Sequence, residues 1–159
     1  MYRDLPVEFF DRYSYEQSTG RIRSKRTGRY GDTEVNSFGY RRASWNRGSR
    51  GKLSTMAHIV VWCLHHGPVP DGMVIDHIDG DKLNNRVENL RLVTAYENMQ
   101  NRRHLGYTYI PAERRYKVSL KRHGKLVYFG YFKTPEAARA AYLTAKAKYH
   151  EAASPHTLK

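Results

Sequence analysis

Residues 73–98 decide the fold of the middle of this chain, and they read MVIDHIDGDKLNNRVENLRLVTAYEN. Two short apolar runs, Met73–Ile75 and Leu90–Val93, predict strands on either side of a polar connection. Thr94 is followed three residues later by a glutamate, which is the spacing of a capping box, so a helix should begin at Ala95 and run to about Arg103. The stretch therefore predicts two strands followed by a helix.

The side chains that can support chemistry lie where these elements meet. Asp76 and His77 are adjacent at the end of the first strand, Asn89 closes the connection, and Asn98 lies one turn into the helix. Each has a bland interpretation on its own, since Asp- and Asn-rich stretches usually form turns and a lone histidine is often only a surface residue. Adjacent strand residues face opposite ways, so Asp76 and His77 can face one phosphate only if the strand ends at Ile75.

Metal chemistry tests this arrangement. Carboxylate and amide oxygens favour Mg²⁺, and Asp76 with Asn98 could supply two ligands. A calcium loop fits less well, because the acidic residues between Asp76 and Asp81 do not have the EF-hand spacing. Zinc stays open but comes last, because the chain has a single cysteine and no His-Glu-x-x-His segment. The histidines available for zinc are His58, His65, His66 and His77.

Three segments of this region, 73–81 (MVIDHIDGD), 84–91 (NNRVENLR) and 94–98 (TAYEN), resemble the HNH (ββα-metal) endonuclease motif in its phage and intron homing form. The resemblance continues upstream and covers roughly Thr55 to Arg103. There Thr55 should cap a helix over Met56 to about His65, which Gly67 and Pro68 end.

The resemblance implies a role for each residue of the motif. His77 would be the general base, Asp76 and Asn98 would hold one divalent cation, Mg²⁺ or Mn²⁺, and Asn89 would tie the loop in place. Asn98 stands where the family often has a final histidine, as in its His-Asn-Asn variants, which favours an oxygen-preferring metal over zinc.

Charge points to the class of partner. The 159 residues include 28 Lys and Arg against 15 Asp and Glu, a net charge of +13, and such an excess favours a polyanion, nucleic acid first. The charge is uneven, at +6 before Met56, −3 from there to Asn101, and +10 from Arg102 onward. One cysteine excludes an intrachain disulfide framework, and the longest apolar run is too short to span a bilayer. We therefore expect an intracellular protein without a membrane partner.

The C-terminal region predicts a small sheet with a helix behind it. Basic or polar residues alternate with apolar ones from Arg115 to Lys121, a turn follows at His123, a second strand covers Lys125 to Phe132, and Thr134 caps a helix to about His150. This region resembles the Apetala-type (ethylene-response-factor) DNA-binding domain, through GYTY at 106–109, YKVSL at 116–120 and YFGYF at 128–132. The resemblance implies DNA contacts from Arg115, Lys117, Ser119 and Lys121.

The N-terminal region is basic and rich in turns. Glycines separate short strand-like pieces, including Arg21–Arg23 and Tyr40–Trp45, and we expect DNA backbone contacts from Arg21, Arg23, Arg41 and Arg42. The sequence thus predicts an α+β chain in three parts. These are an N-terminal β-rich region (1–55), a ββα-metal HNH module (56–103) and an Apetala-type DNA-binding domain (104–159).

From these parts we expect a metal-dependent homing endonuclease that hydrolyses phosphodiester bonds in double-stranded DNA. A single set of catalytic residues predicts a monomer that nicks one strand, with no obligate protein partner, in the cytoplasm of a phage-infected bacterium. Two other functions stay open. One is a DNA-binding regulator whose HNH unit no longer cuts, and the other is RNA binding, because basic composition does not separate the two nucleic acids.

Overall fold

The computed structural model describes residue 5 and residues 8–46, 48–101, 104–150, 153, 157 and 158. Its internal contacts divide the chain into two compact units, Met1–Ala95 (unit 1) and Tyr96–Lys159 (unit 2). The chain combines helices with antiparallel sheets, which confirms the predicted α+β fold class. Within the described part, no helix is long and apolar enough to cross a membrane. The three-part division of the chain stays a prediction, and its boundary residue Arg103 lies outside the described residues.

Unit 1 opens with a short helix and two small antiparallel sheets. The elements are α1 (Glu8–Arg12), β1 (Tyr13–Glu16), β2 (Arg21–Ser24), β3 (Glu34–Val35), β4 (Arg41–Asn46) and β5 (Lys52–Met56), with a 3-10 turn at Gly48–Arg50. β1 pairs with β2, and the second sheet has the order β3-β4-β5. The predicted strands near residues 21 and 40 are present as β2 and β4, whereas α1 was not predicted.

Helix α2 (Ala57–His66) packs against these sheets and supplies much of the core of unit 1. The core residues come from α1, β1, β2, β4, α2 and one later strand, and they are Phe9, Tyr13, Ile22, Ala43, Val60, Val61 and Leu90. The basic N-terminal region and the middle of the chain therefore share one hydrophobic core. Burial of these apolar side chains is the main force that holds α2 in place.

The predicted N-cap of α2 is wrong. Thr55 lies in β5 opposite Ala43, and the strand pairing continues to Met56, which is the N-cap and makes no side-chain capping bond. The backbone around Thr55 is held in the sheet ladder and leads directly into the helix. At the other end, Gly67 follows the helix with a φ of 81°, a conformation that glycine adopts without strain.

The middle of the chain forms the predicted strand–strand–helix order. β6 (Met73–His77) pairs antiparallel with β7 (Leu90–Thr94), a 3-10 turn covers Val87–Asn89, and α3 (Ala95–Gln100) follows. β6 is two residues longer than predicted, because Asp76 and His77 pair with Arg91 and Leu90 and extend the ladder. α3 ends at Gln100, and Arg103, where its end was predicted, lies outside the described residues.

Unit 2 contains the predicted sheet and helix. Its elements are β8 (Tyr107–Ile110), β9 (Arg115–Arg122), β10 (Lys125–Phe132) and α4 (Pro135–Tyr149), with the sheet order β10-β9-β8 and a 3-10 turn at Pro111–Glu113. The side chains of Val118 and Leu120 form a core with Ala138 and Tyr142 of α4. The predicted cap of α4 is confirmed, because the Thr134 side chain accepts a hydrogen bond from the Ala137 N–H at 3.2 Å.

Candidate active site

Asn89 ties together the loop that joins β6 to β7. Its side-chain amide donates to Asp79 Oδ1 at 2.9 Å and to the Asn84 carbonyl oxygen at 2.8 Å, and its own Oδ1 accepts from the Asp79 N–H at 3.1 Å. Burial raises the pKa of Asp79, but hydrogen bonds from Asn84 and Asn89 outweigh that effect and leave the pKa below its ordinary value. The loop is therefore fixed at the end of β6, next to His77, the candidate general base, and Asp76, the candidate metal ligand.

His77 is buried at the end of β6, with 4% of its surface exposed. Its Nε2 lies 2.9 Å from the Oδ1 of Asn85, which is itself 1% exposed. An amide oxygen only accepts hydrogen bonds, so Nε2 is the donor in this contact, and Nδ1 is the ring nitrogen that Asn85 does not engage.

Two further aromatic rings surround His77. The His58 ring of α2 meets it edge to face with 5.1 Å between centroids, and the Tyr40 ring lies 6.0 Å away. Burial, with a smaller contribution from His77, lowers the pKa of His58 to about 3. His58 is therefore neutral at pH 7, so it packs against the His77 ring without placing a positive charge beside it.

Asp76, the candidate metal ligand of β6, makes an ion pair with Arg91 directly across the strand pair. The Arg91 Nε and Nη2 both donate to Asp76 Oδ2, at 3.1 and 2.9 Å. Asp76 also acts on Tyr40, since burial first and the Asp76 charge second raise the pKa of the Tyr40 phenol. The carboxylate that the sequence predicts as a metal ligand thus has a guanidinium as its neighbour.

The prediction that β6 ends at Ile75, so that Asp76 and His77 face one phosphate, is wrong about the strand. Both residues belong to β6, and their side chains meet different partners, Arg91 for Asp76 and Asn85 for His77. Regular strand geometry is the reason, because it alternates successive side chains between the two faces.

The second candidate metal ligand, Asn98, is an exposed residue of α3 in unit 2. A carboxylate and an amide are both hard oxygen donors of the kind that Mg²⁺ takes, so the chemistry of the pair fits that ion. Their joint site stays a prediction. Among the residues that the structure describes, no three His, Cys, Asp or Glu side chains cluster in a way that could hold a metal ion.

The predicted DNA-contacting arginines of unit 1 all have partners within the protein; they are Arg21, Arg23, Arg41 and Arg42. Arg21 pairs with buried Asp32 at 3.0 Å, and Arg23 pairs with Glu16 at 2.7 Å. Arg41 donates to the Asp32 carbonyl oxygen at 3.5 Å, and Arg42 donates to the Ser54 hydroxyl at 2.6 Å. These bonds fix the guanidinium groups within the small sheets, and the DNA contacts themselves stay a prediction.

The predicted DNA-contacting residues of unit 2 lie along one face of β9, opposite the face that packs on α4. They are Arg115, Lys117, Ser119 and Lys121, at alternate positions. The facing of β10 was ambiguous in the sequence, and a bulge between Tyr128 and Gly130 resolves it by placing Tyr128 opposite Ser119 and Tyr131 opposite Lys117. A hydrogen bond to the Tyr128 hydroxyl raises the pKa of Lys117, so this cation stays charged.

Sequence reasoning missed three residues of this site, Asn85, Arg91 and Tyr40. Asn85 was visible as part of an Asn-Asn pair, but nothing in that pair says which amide turns inward to His77. Arg91 could have been found from the strand register, since pairing His77 with Leu90 places Arg91 opposite Asp76. Tyr40 had no signal, because it reaches the site from the loop between β3 and β4, which is distant in sequence.

The chain order β6, β7, α3, with a histidine at the end of the first strand and an asparagine closing the loop, defines an HNH-like ββα module. Comparison with known proteins shows which family this module resembles. Residues 55–100 match the HNH endonuclease family model. The matched range contains β6, β7 and α3, so the similarity to HNH endonucleases lies in the ββα module.

Three curated relatives are similar to parts of the chain. The chain is 36% identical over 80 residues to YosQ of Bacillus subtilis (strain 168), a SPbeta prophage-derived protein named as an HNH homing endonuclease, covering 50% of this chain and 46% of YosQ. It is 32% identical over 100 residues to the DNA endonuclease I-HmuI of Bacillus phage SP01, covering 60% and 57%. It is 52% identical over 44 residues to Protein 3.8 of Escherichia phage T7, covering 28% and 36%.

A solved structure also resembles the chain. It shows DNA binding and cleavage by I-HmuI, with a TM-score of 0.46 and 30% sequence identity, covering 56% of this chain and 50% of that one. The matched part of the chain covers 46% of the length of YosQ and 36% of the length of Protein 3.8, so the chain spans about half of these relatives or less. None of these matches describes an Apetala-type domain, and that assignment of unit 2 stays a prediction.

Proposed function

We propose that this protein is a divalent-metal-dependent homing endonuclease that hydrolyses phosphodiester bonds in double-stranded DNA. The HNH match over residues 55–100 and the endonuclease relatives support the reaction class. One observation carries the proposal to the level of residues. The buried His77 ring is held by Asn85 so that one nitrogen keeps its lone pair beside a fixed loop.

In this proposal His77 is the general base. Its Nδ1 takes the proton from a water molecule that attacks the scissile phosphorus, and its protonated ring is stabilised by the bond that Nε2 donates to Asn85. Asn89 keeps the loop from Asp79 to Asn84 in place, so the ring does not lose its orientation when DNA binds. His58 stays neutral and adds no positive charge beside the ring.

Asp76 and Asn98 are the residues proposed to hold the metal ion, Mg²⁺ or Mn²⁺. When bound, such an ion supplies Lewis-acid stabilisation of the charge that develops on the phosphate and leaving oxygens. Asp76 contributes a carboxylate whose position is fixed by the β6–β7 ladder, and Asn98 contributes a neutral amide oxygen. Because Asp76 and His77 are successive residues of β6 and point to opposite faces, this proposal requires the scissile phosphate to lie at the end of the strand, where both side chains could reach it.

Both units are proposed to hold duplex DNA. In unit 2, Arg115, Lys117, Ser119 and Lys121 form a basic row on the open face of the sheet, and unit 1 adds Arg21, Arg23, Arg41 and Arg42. Unit 2 contains 13 Lys and Arg against 4 Asp and Glu, which suits a polyanion. We propose a monomer that nicks one strand, because the chain has one set of candidate catalytic residues, and a location in the bacterial cytoplasm where phage DNA is present.

A plasmid assay tests the reaction. Supercoiled plasmid incubated with the protein and Mg²⁺ or Mn²⁺ should become relaxed circles, and a chelator should stop this. His77→Ala should abolish nicking with little change in gel-shift affinity, and His65→Ala, at an exposed histidine of α2, is the matched control that should nick normally. Plasmid that stays supercoiled in every tube would refute the proposal. If the plasmid is nicked, mapping the cleavage ends on bacterial genomic DNA would identify the target site.

A second function, a non-cleaving DNA-binding regulator with an inactive HNH unit, is favoured by the burial of His77 at 4% exposure. In that case metal would have no effect on the plasmid, yet gel-shift affinity would persist. His77→Ala would then lower thermal stability without any change in DNA chemistry. Competition with duplex RNA in the same gel shift separates both functions from RNA binding.

A further inference from the structure

Arg91 occupies an unusual place for a cation, beside the carboxylate proposed to bind a metal. The β6–β7 register puts it directly across from Asp76, and two guanidinium N–H groups donate to one carboxylate oxygen at 3.1 and 2.9 Å. The side chains are 27% and 13% exposed for Arg91 and Asp76, so solvent screens the pair only in part. The interaction is therefore built into the ladder and is not an incidental surface contact.

The other lysine and arginine side chains that the structure describes in this module, Lys82 and Arg86, have different partners. Lys82 donates to the Phe38 carbonyl oxygen at 2.9 Å, and Arg86 donates to the Ser18 carbonyl oxygen at 2.8 Å. These neutral acceptors do not compete for a metal ion. Arg91 differs because its bonds go to a charged group that has a second proposed task.

A guanidinium and a divalent cation on the same carboxylate repel each other. Without DNA, Arg91 stabilises the Asp76 charge and so weakens metal binding there. A DNA phosphate is a second anion of the kind that arginine binds with two parallel hydrogen bonds. When DNA lies at the site, the guanidinium can turn to the phosphate and leave Asp76 to the metal.

We propose that Arg91 makes metal loading depend on DNA, by holding Asp76 in the absence of DNA and binding a backbone phosphate when duplex is present. The proposal rests on the proposed function for the metal role of Asp76. Because linkage is reciprocal, DNA should raise the affinity for metal by the same factor by which metal raises the affinity for DNA. Such coupling would restrict metal loading to protein that is already bound to DNA.

Calorimetric titration with Mn²⁺ tests the first half of this claim without any cleavage. In the absence of DNA, Arg91→Gln should bind Mn²⁺ about tenfold more tightly than wild type, within the range typical of coupling between sites. The matched control is Arg29→Gln, which removes one positive charge from an exposed turn of unit 1 and should leave Mn²⁺ affinity unchanged. Equal affinities for wild type and Arg91→Gln would overturn the proposal.

The second half is tested with a random-sequence duplex present. His77→Ala serves as the common background so that the duplex stays intact. In this background the duplex should raise Mn²⁺ affinity about tenfold. In the double variant His77→Ala, Arg91→Gln the duplex should raise Mn²⁺ affinity by less than about twofold. An unchanged DNA effect in the double variant would overturn the proposal. Arg91→Lys keeps the charge and should bind Mn²⁺ as weakly as wild type without DNA, and tight binding by this variant would refute charge competition.

These readouts separate the two levels of inference. Thermal unfolding by circular dichroism checks that each variant is folded before it is titrated. If plasmid nicking fails but Mn²⁺ and DNA still bind cooperatively through Arg91, the proposed function fails and the coupling stands. If nicking occurs with Mn²⁺ affinity independent of Arg91, the function stands and the coupling fails.

Discussion

Acidification should destabilise unit 1 through the buried histidine of α2. His58 is 7% exposed, and burial lowers its pKa to about 3, against about 6.5 for an ordinary histidine. The unfolded chain therefore binds the proton first, so stability is retained above pH 6.5 and is lost as the pH falls below it. The loss approaches 1.4 kcal/mol per pH unit, or about 2 kcal/mol between pH 8 and pH 5.

The two tryptophans make this measurable for unit 1 alone. Trp45 lies in β4 and Trp62 in α2, both within unit 1, so urea unfolding followed by tryptophan fluorescence reports the free energy of unfolding of that unit. His58→Gln stays neutral at every pH and should remove about 2 kcal/mol of the difference between pH 8 and pH 5.

The comparison depends on the change with pH and not on absolute stability. His58→Gln alters packing and will shift the free energy of unfolding at pH 8, but this offset cancels in the difference between the two pH values. His65→Gln, at an exposed position of the same helix, is the control and should keep the wild-type pH dependence. Parallel pH curves for wild type and His58→Gln would refute the assignment of His58 as a buried neutral ring.

Three further predictions concern single contacts. Thr134→Ala removes the capping bond to the Ala137 N–H and should cost about 1 kcal/mol of unfolding free energy, measured by circular dichroism in urea; no loss would mean that the cap is dispensable. Asn89→Ala removes the bonds that tie the loop and should cost about 2 kcal/mol by tryptophan fluorescence, whereas a neutral result would show that the loop holds itself. Gly106→Ala should cost about 2 kcal/mol or more in the same circular dichroism assay, because a Cβ there would overlap the Tyr142 ring and the φ is 81°, and a stable variant would contradict this packing.

The electrostatic part of DNA binding gives one more test, on unit 2. Replacing Lys117 and Lys121 by Gln should reduce the slope of log affinity against log salt by about 0.9 for each phosphate that the protein no longer neutralises. The exposed Lys133, after β10, is the matched control and should leave the slope unchanged when replaced by Gln. If the Lys117 and Lys121 variants keep the same slope as wild type and the Lys133 control in fluorescence anisotropy with duplex DNA, the open face of the sheet does not touch the DNA backbone.

Local patterns were enough to predict most of the elements. The alternation from Arg115 to Lys121 gave β9 and its two faces, since a strand repeats every two residues whatever surrounds it. Thr134 gave the start of α4, because capping depends only on the next three residues. Thr55 failed as a cap because its strand pairing with Ala43, a long-range interaction, took precedence.

The sequence by itself determined the order of strand, strand and helix and the basic character of the chain, because both depend on composition and on the pattern of neighbouring residues. The order of the polar residues, with the resemblance to the HNH motif, also singled out the candidate residues His77, Asp76, Asn89 and Asn98. Only the tertiary structure decided which groups meet. The register of β6 and β7 brought Arg91 to Asp76, the loop turned Asn85 toward His77, and α2 placed His58 against the same ring. These interactions depend on burial and on strand pairing between segments that are separated along the chain, and no local pattern encodes them.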